Sequence, residues 1–147
     1  MQGFYTFCYE KGCGSMADIK IYVASHKQTY VPDHPLFVPL QIGTSLHEPL
    51  NGYLHDNSGE NISGKNRSYC ELTGQYWVWK NQTADYYGFY HYRRYFSFKR
   101  EKYPYVIYDY PDTATLDSMS CQADFMKIFI SQYDIIVPEA ENMHETA

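Results

Sequence analysis

Long hydrophobic runs are absent: no stretch of about 18 apolar residues occurs in the 147-residue chain, which excludes a transmembrane helix of ordinary composition. Cysteine is scarce. Cys8, Cys13, Cys70 and Cys121 contain no C-x-x-C pair and are too few for a disulfide framework at this length. An excess of basic residues is lacking too. Twelve Lys and Arg against 17 Asp and Glu give a net charge of −5, which argues against nucleic-acid binding by bulk charge. Met1 to Ser15 have neither the basic start nor the apolar stretch of a signal peptide. Also missing are G-x-G-x-x-G, G-x-x-x-x-G-K-[ST], G-x-S-x-G and H-E-x-x-H, so the familiar dinucleotide, P-loop, hydrolase and zinc signatures are excluded. Asp109-Tyr110-Pro111-Asp112 is not a D-x-D pair and reads as a surface loop. The expectation from these absences is a soluble protein of a reducing, cytoplasmic compartment.

What is present is ordinary in bulk and unusual in one residue. With 44% apolar and 20% charged residues, the composition is that of a globular domain, and the length allows about one. Seventeen tyrosines stand out; each brings a flat apolar body with a polar tip, suited to holding sugars or nucleotides. Gly12-Cys13-Gly14-Ser15 is a breaker cluster just before Met16. Residues 1–15 are therefore read as an extra, poorly ordered segment and 16–147 as the domain.

The β-branched run Ile19 to Ser25 predicts a strand, and its continuous apolar end suits burial on both faces of a sheet. From His26 to Lys65, Pro32, Pro35, Pro39 and Pro49 with four glycines forbid long elements, although Leu36-Phe37-Val38 and Leu40-Gln41-Ile42 are apolar enough to pack. Ser68-Tyr69-Cys70-Glu71 reads as a capping box opening a helix to Lys80, with Tyr69, Leu72, Tyr76 and Trp79 as its apolar stripe. Tyr86 to Tyr90 reads as a second strand and residues 99–115 as an irregular connection. Asp117 to Tyr133 reads as a helix through Cys121, Phe125, Ile128 and Phe129, and Asp134 to Pro138 as a short strand. The alternation of strands and helices implies an α/β fold.

Three stretches could carry chemistry. Ser25-His26-Lys27 follows the first strand, at the end of an α/β sheet where ligands bind, although a solvated turn explains it as simply. Asn61-Ile62-Ser63-Gly64-Lys65-Asn66 leads into the capped helix, where backbone N–H groups and Lys65 favour an anion; a plain helix entry is the competing reading. His91-Tyr92-Arg93-Arg94-Tyr95-Phe96 places two arginines among aromatics at a strand end. Arg binds phosphate bidentately and Tyr stacks on a base or sugar, whereas a structural ion pair is the plainer account. Neighbouring strand residues face opposite ways, so only one arginine serves a given pocket unless the chain turns.

Those blocks, with Glu60 to Asn66, Tyr69-Cys70-Glu71-Leu72-Thr73, Tyr76-Trp77-Val78-Trp79-Lys80-Asn81 and Tyr133 to Pro138, occur in the order found in one family. From Met16 onward the sequence resembles the DUF4422 family of bacterial capsular and exopolysaccharide biosynthesis proteins, glycosyltransferases of the GT-A type. The resemblance implies a Rossmann-like mixed sheet with flanking helices, present as an incomplete domain. It implies transfer of a sugar from a nucleotide-sugar donor to a saccharide acceptor at the cytoplasmic face of the inner membrane, without nucleic acid. The donor-binding positions it suggests are Ala24, Ser25, His26, Lys27, Asn61, Lys65, Asn66, His91, Tyr92, Arg93 and Arg94. With no D-x-D pair, Arg93, Arg94 and Lys65 are expected to share the diphosphate charge; a divalent metal, manganese or magnesium, stays open, and no catalytic residue is assigned.

Two departures stand out. The family's Gly-Asp-Asn-Ile-Ser reads Gly59-Glu60-Asn61-Ile62-Ser63 here, and family members continue well past Pro138, so the chain looks like the donor-binding half of the enzyme. The alternative is a carbohydrate- or nucleotide-binding module without turnover, which fits the tyrosine content. Nucleic-acid binding by the Tyr/Arg cluster comes third, weakened by the acidic charge.

Overall fold

The computed structural model describes residues 17–99 and 111–137, so the expected N-terminal segment and Asp109 lie outside the described residues. β1 (Ile19–Ser25) is the strand the sequence predicts, and it lies inside a four-stranded sheet of order β3-β2-β1-β4. β2 is Phe37–Gln41, β3 is Leu54–His55 and β4 is Tyr86–His91; every pairing among them is parallel. An isolated antiparallel bridge joins His91 to Arg94 beyond the end of β4.

β1 is buried on both faces, as its apolar run requires. Ile19, Ile21 and Val23 join Leu36, Phe37, Tyr90, Tyr92, Tyr95, Met119, Cys121 and Met126 on one side. Tyr22 and Ala24 join Leu40, Ile42, Trp77 and Val78 on the other. Pro39 sits inside β2, opposite Val23. The backbone of Gln41, two residues on, faces β3 by accepting the Asp56 N–H, so Pro39 also faces that side. There the missing N–H costs no ladder bond, because β3 pairing begins only at Leu40↔Leu54.

The helical readings need correction in detail. A four-residue turn of helix, α1 (Asn66–Tyr69), ends at Cys70, whose φ is 46°, and α2 runs over Leu72–Asn81. No capping box forms: Glu71 is itself the N-cap of α2 and makes no side-chain cap bond. The buried face of α2 is Thr73, Gly74, Trp77 and Val78, whereas Tyr69, Leu72 and Trp79 are exposed, Trp79 by 69%. Two local facts rotate the helix away from the expected stripe. Thr73 is drawn inward to donate its hydroxyl to buried Asp56 at 2.8 Å, and Gly74 lets the helix approach β2 so closely that a Cβ would lie 2.7 Å from Ile42 Cγ2.

The single helix expected from Asp117 is two, α3 (Thr113–Ser118) and α4 (Ala123–Ile130), broken where Ser120 takes φ 57°. Asp112, read as part of a loop, caps α3 by accepting the Thr115 N–H at 2.8 Å. Leu116, Met119, Cys121 and Met126 face the core, while Phe125 and Ile128 are exposed. Residues 134–137 form no strand, although Asp134 lies near Tyr86 and Tyr87 of β4, and Ile135 is 78% exposed.

Candidate functional site

In the order β3-β2-β1-β4, the chain leaves β1 to one side for β2 and β3 and returns through α2 to β4 on the other. The reversal lies between the carboxyl ends of β1 and β4, where open α/β sheets hold ligands. Ala24 and His91 are register partners at that edge, and the Tyr92 N–H donates to Ala24 O at 3.2 Å.

Immediately beyond, the two strand ends supply a cluster of cations around one ring. Lys27 Nζ lies 5.4 Å from the centroid of Tyr92 and Arg93 Cζ 5.2 Å from it, both within cation–π reach. The His26 ring meets Tyr92 edge-on at 6.1 Å, and the His91 ring lies 4.2 Å from it. Ser25 fixes the β1 end by donating its hydroxyl to Lys27 O at 2.7 Å. On the β4 side the chain turns at Tyr92 and Arg93, held by the Arg94 N–H donating to His91 O at 2.8 Å and the Arg93 N–H donating to His91 Nδ1 at 3.2 Å. Alternation along a strand therefore ends at His91, and Arg93 folds back over Tyr92. Burial holds the His91 pKa below its ordinary value, and Arg93, Arg94 and His26 add to the effect against the opposing pull of Glu71.

Beside this rim, a small pocket of about 90 Å³ opens between the sheet end and α2, with Glu71, Gln75 and His91 as its polar walls.

The sequence matches DUF4422, a domain of unknown function, over residues 20–147. The chain belongs to the DUF4422 family. It is similar to a solved structure described as the apo form of WbbM, a bifunctional glycosyltransferase, with a TM-score of 0.72 and 31% identity. That likeness covers 83% of this chain and 23% of the other. No curated protein matches. The fold is thus a Rossmann-like sheet shared with part of a glycosyltransferase.

Within this DUF4422 chain, the expected donor-binding residues fall into two groups. Ala24, Ser25, His26, Lys27, His91, Tyr92, Arg93 and Arg94 meet at the ends of β1 and β4. Asn61, Lys65 and Asn66 lie on the segment that leads into α2, and two of them are engaged in holding it. Asn61 Nδ2 donates to Asn57 O and Gly59 O, and Asn66 Nδ2 donates to Cys70 O at 2.8 Å and Thr73 Oγ1 at 2.9 Å. Lys65 is exposed at the end of a short 3-10 turn, Ser63–Lys65.

Asp56, which the sequence reading missed, anchors the same region. Wholly buried at the end of β3, it accepts the N–H of Gly43 at 2.8 Å, the N–H of Thr44 at 3.0 Å, and the hydroxyls of Ser63 and Thr73. Four donors from three segments satisfy a carboxylate that burial would otherwise penalise. No periodicity marks a lone acid after a two-residue strand. Glu71 and Gln75 were legible only as neighbours four apart on one helix face.

The rim collects cations and aromatics, a set that suits an anion; among the described residues no three His, Cys, Asp or Glu side chains are grouped as metal ligands. Among those residues, too, no helix is long and apolar enough to cross a membrane.

Proposed function

We propose that residues 16–147 are the nucleotide-sugar-binding part of a bacterial glycosyltransferase that builds capsular or exopolysaccharide at the cytoplasmic face of the membrane. The observation that carries this reading is the placement of Lys27 and Arg93 around Tyr92 at the sheet's reversal point. In sugar transfer, the anomeric C–O bond to the diphosphate breaks and its electron pair leaves on the nucleoside diphosphate. The acceptor hydroxyl forms the new bond and gives up its proton. Fixed cations beside the departing diphosphate stabilise the charge that develops there. Arg93 offers the planar fork for two phosphate oxygens and Lys27 a point charge, while Tyr92 limits where both can go. The likeness to a glycosyltransferase over 83% of the chain supports the reaction class.

Calorimetric titration with inorganic pyrophosphate and with UDP, GDP and dTDP, each with and without manganese, tests the reading. Binding of pyrophosphate and of at least one nucleotide is expected. Absence of binding by all four, with and without the metal, overturns it.

A carbohydrate-binding module without turnover has one observation in its favour: Tyr69, Leu72 and Trp79 stand exposed on the outer face of α1 and α2. Glycan binding that nucleotides do not compete would favour that reading instead.

A further inference from the structure

The pocket between β1, β4 and α2 has a chemistry different from that of the cationic rim. Its floor is apolar, formed by Ala24, Leu40, Phe89 and Gly74. Its polar groups are a carboxylate, Glu71, an amide, Gln75, and the His91 imidazole. Because His91 Nδ1 accepts the Arg93 N–H, the neutral ring carries its proton on Nε2 and is a donor there. A site that offers one anionic acceptor, one amide of both kinds and one N–H donor is poorly matched to phosphate, which Glu71 repels. It is equally poorly matched to a cation, which the neighbouring Arg93 and Arg94 repel. It matches hydroxyl groups, which donate and accept at the same atom. Size narrows the ligand further. The pocket is small, about 90 Å³, and open to solvent, so it takes part of a larger ligand, such as two hydroxyls and the ring edge that bears them.

We infer that Glu71, Gln75 and His91 form a subsite for a vicinal pair of sugar hydroxyls on the nucleotide-sugar whose diphosphate lies on Lys27 and Arg93. The inference rests on the nucleotide-sugar reading above. It makes Glu71 and Gln75 ligand-binding residues and gives His91 two duties, one toward the ligand and one toward the Arg93 turn. The hydroxyls come either from the ribose or from the transferred sugar, and the two sources separate experimentally.

The test uses Glu71→Ala, at the N-cap of α2 where the side chain makes no cap bond, and Gln75→Ala in its first turn; both positions are exposed. Affinities are measured for pyrophosphate, UDP, GDP, their 2′-deoxy and 3′-deoxy counterparts, and UDP- and GDP-sugars. Pyrophosphate reaches only the rim, so Gln75→Ala should bind it as the wild type does and Glu71→Ala at least as tightly, an acid beside the rim being gone. If ribose fills the subsite, the wild type prefers the ribonucleotide to its deoxy form by about tenfold or more, and Glu71→Ala removes that preference. If the transferred sugar fills it, the wild type prefers the sugar nucleotide to the free diphosphate, and Glu71→Ala removes that preference instead. The inference is overturned if nucleotides bind and both variants keep every wild-type ratio. Should neither pyrophosphate nor any nucleotide bind the wild type, the nucleotide-sugar reading fails and takes this subsite with it.

Discussion

His91 accepts the Arg93 N–H on Nδ1 at 3.2 Å, so the imidazole that closes the sheet edge also sets the turn carrying the arginine. Protonation of Nδ1 removes that acceptor. The geometry of the rim is therefore tied to the charge state of one half-buried ring.

This tie gives stability a pH dependence. Burial first of all lowers the pKa of both His91 and His34, and His34 Nδ1 likewise accepts an N–H, from Leu36 at 3.2 Å. Around His91, Glu71 opposes the shift, while Arg93, Arg94 and His26 reinforce it. In the unfolded chain both histidines take up protons near pH 6.5, and the folded chain resists until lower pH. The unfolded state then holds more protons, so stability is full above pH 6.5 and falls as pH drops through the lowered folded values. Melting temperatures measured from pH 8 to 5 should decline below pH 6.5. His91→Asn, whose Oδ1 can accept the Arg93 N–H without titrating, should flatten part of that decline; an unchanged slope contradicts the assignment to His91.

Arg93 should matter more to anion binding than to folding. Its side chain is exposed and lies on Tyr92 opposite no described acid. A charge-assisted bond to diphosphate is worth about 1.5–3 kcal/mol, so Arg93→Ala should weaken pyrophosphate binding by roughly 10- to 150-fold with little change in melting temperature. Arg93→Lys should recover part of the affinity, since the charge returns without the fork. A lowered melting temperature with unchanged affinity would assign Arg93 a structural role.

Asp56 carries the opposite expectation. Asp56→Asn keeps the shape but turns one acceptor into an NH₂ group that faces two donors, those of Thr44 and Ser63 on one oxygen or those of Gly43 and Thr73 on the other. Urea unfolding should show a loss of about 3 kcal/mol, the range for a buried network broken at its charged member. A loss under about 1 kcal/mol would mean that the two displaced donors find other partners.

The legible parts of this molecule are those in which one physical cause acts alone. Ile19 to Ser25 is apolar and β-branched throughout, and it is the strand expected; the basic and aromatic residues after β1 and β4 meet because parallel strands end together. The face of α2 was not legible from hydrophobicity. Tyr69, Leu72, Tyr76 and Trp79 have the spacing of a core stripe, but a buried carboxylate seventeen residues upstream of Thr73 and a close approach at Gly74 choose the other side. The break at Ser120, which puts both Met119 and Cys121 in the core, is likewise set by tertiary packing, which local patterns do not encode.

Gly74 offers the sharpest test of why α2 sits as it does. Alanine is the better helix former by about 1 kcal/mol, so on local grounds Gly74→Ala should stabilise. Packing says otherwise: the added Cβ would lie 2.7 Å from Cγ2 of Ile42, the residue just past β2, and 3.0 Å from Cδ2 of Leu40 on β2. Relief requires the helix to lift from the sheet, which disturbs Trp77 and Val78 and the Thr73 bond to Asp56. Overpacking of this kind costs about 1–3 kcal/mol, enough to outweigh the propensity gain, so Gly74→Ala should be destabilised in urea unfolding. Adding Ile42→Ala removes the nearest methyl. The double variant should therefore be more stable than the sum of the two single losses predicts, with the coupling showing as a positive departure in the mutant cycle. Strict additivity would mean that the helix is held off the sheet by something other than this contact. A Gly74→Ala variant more stable than wild type would show that α2 can move outward at no cost, and that the close approach at Gly74 does not determine which face of the helix is buried.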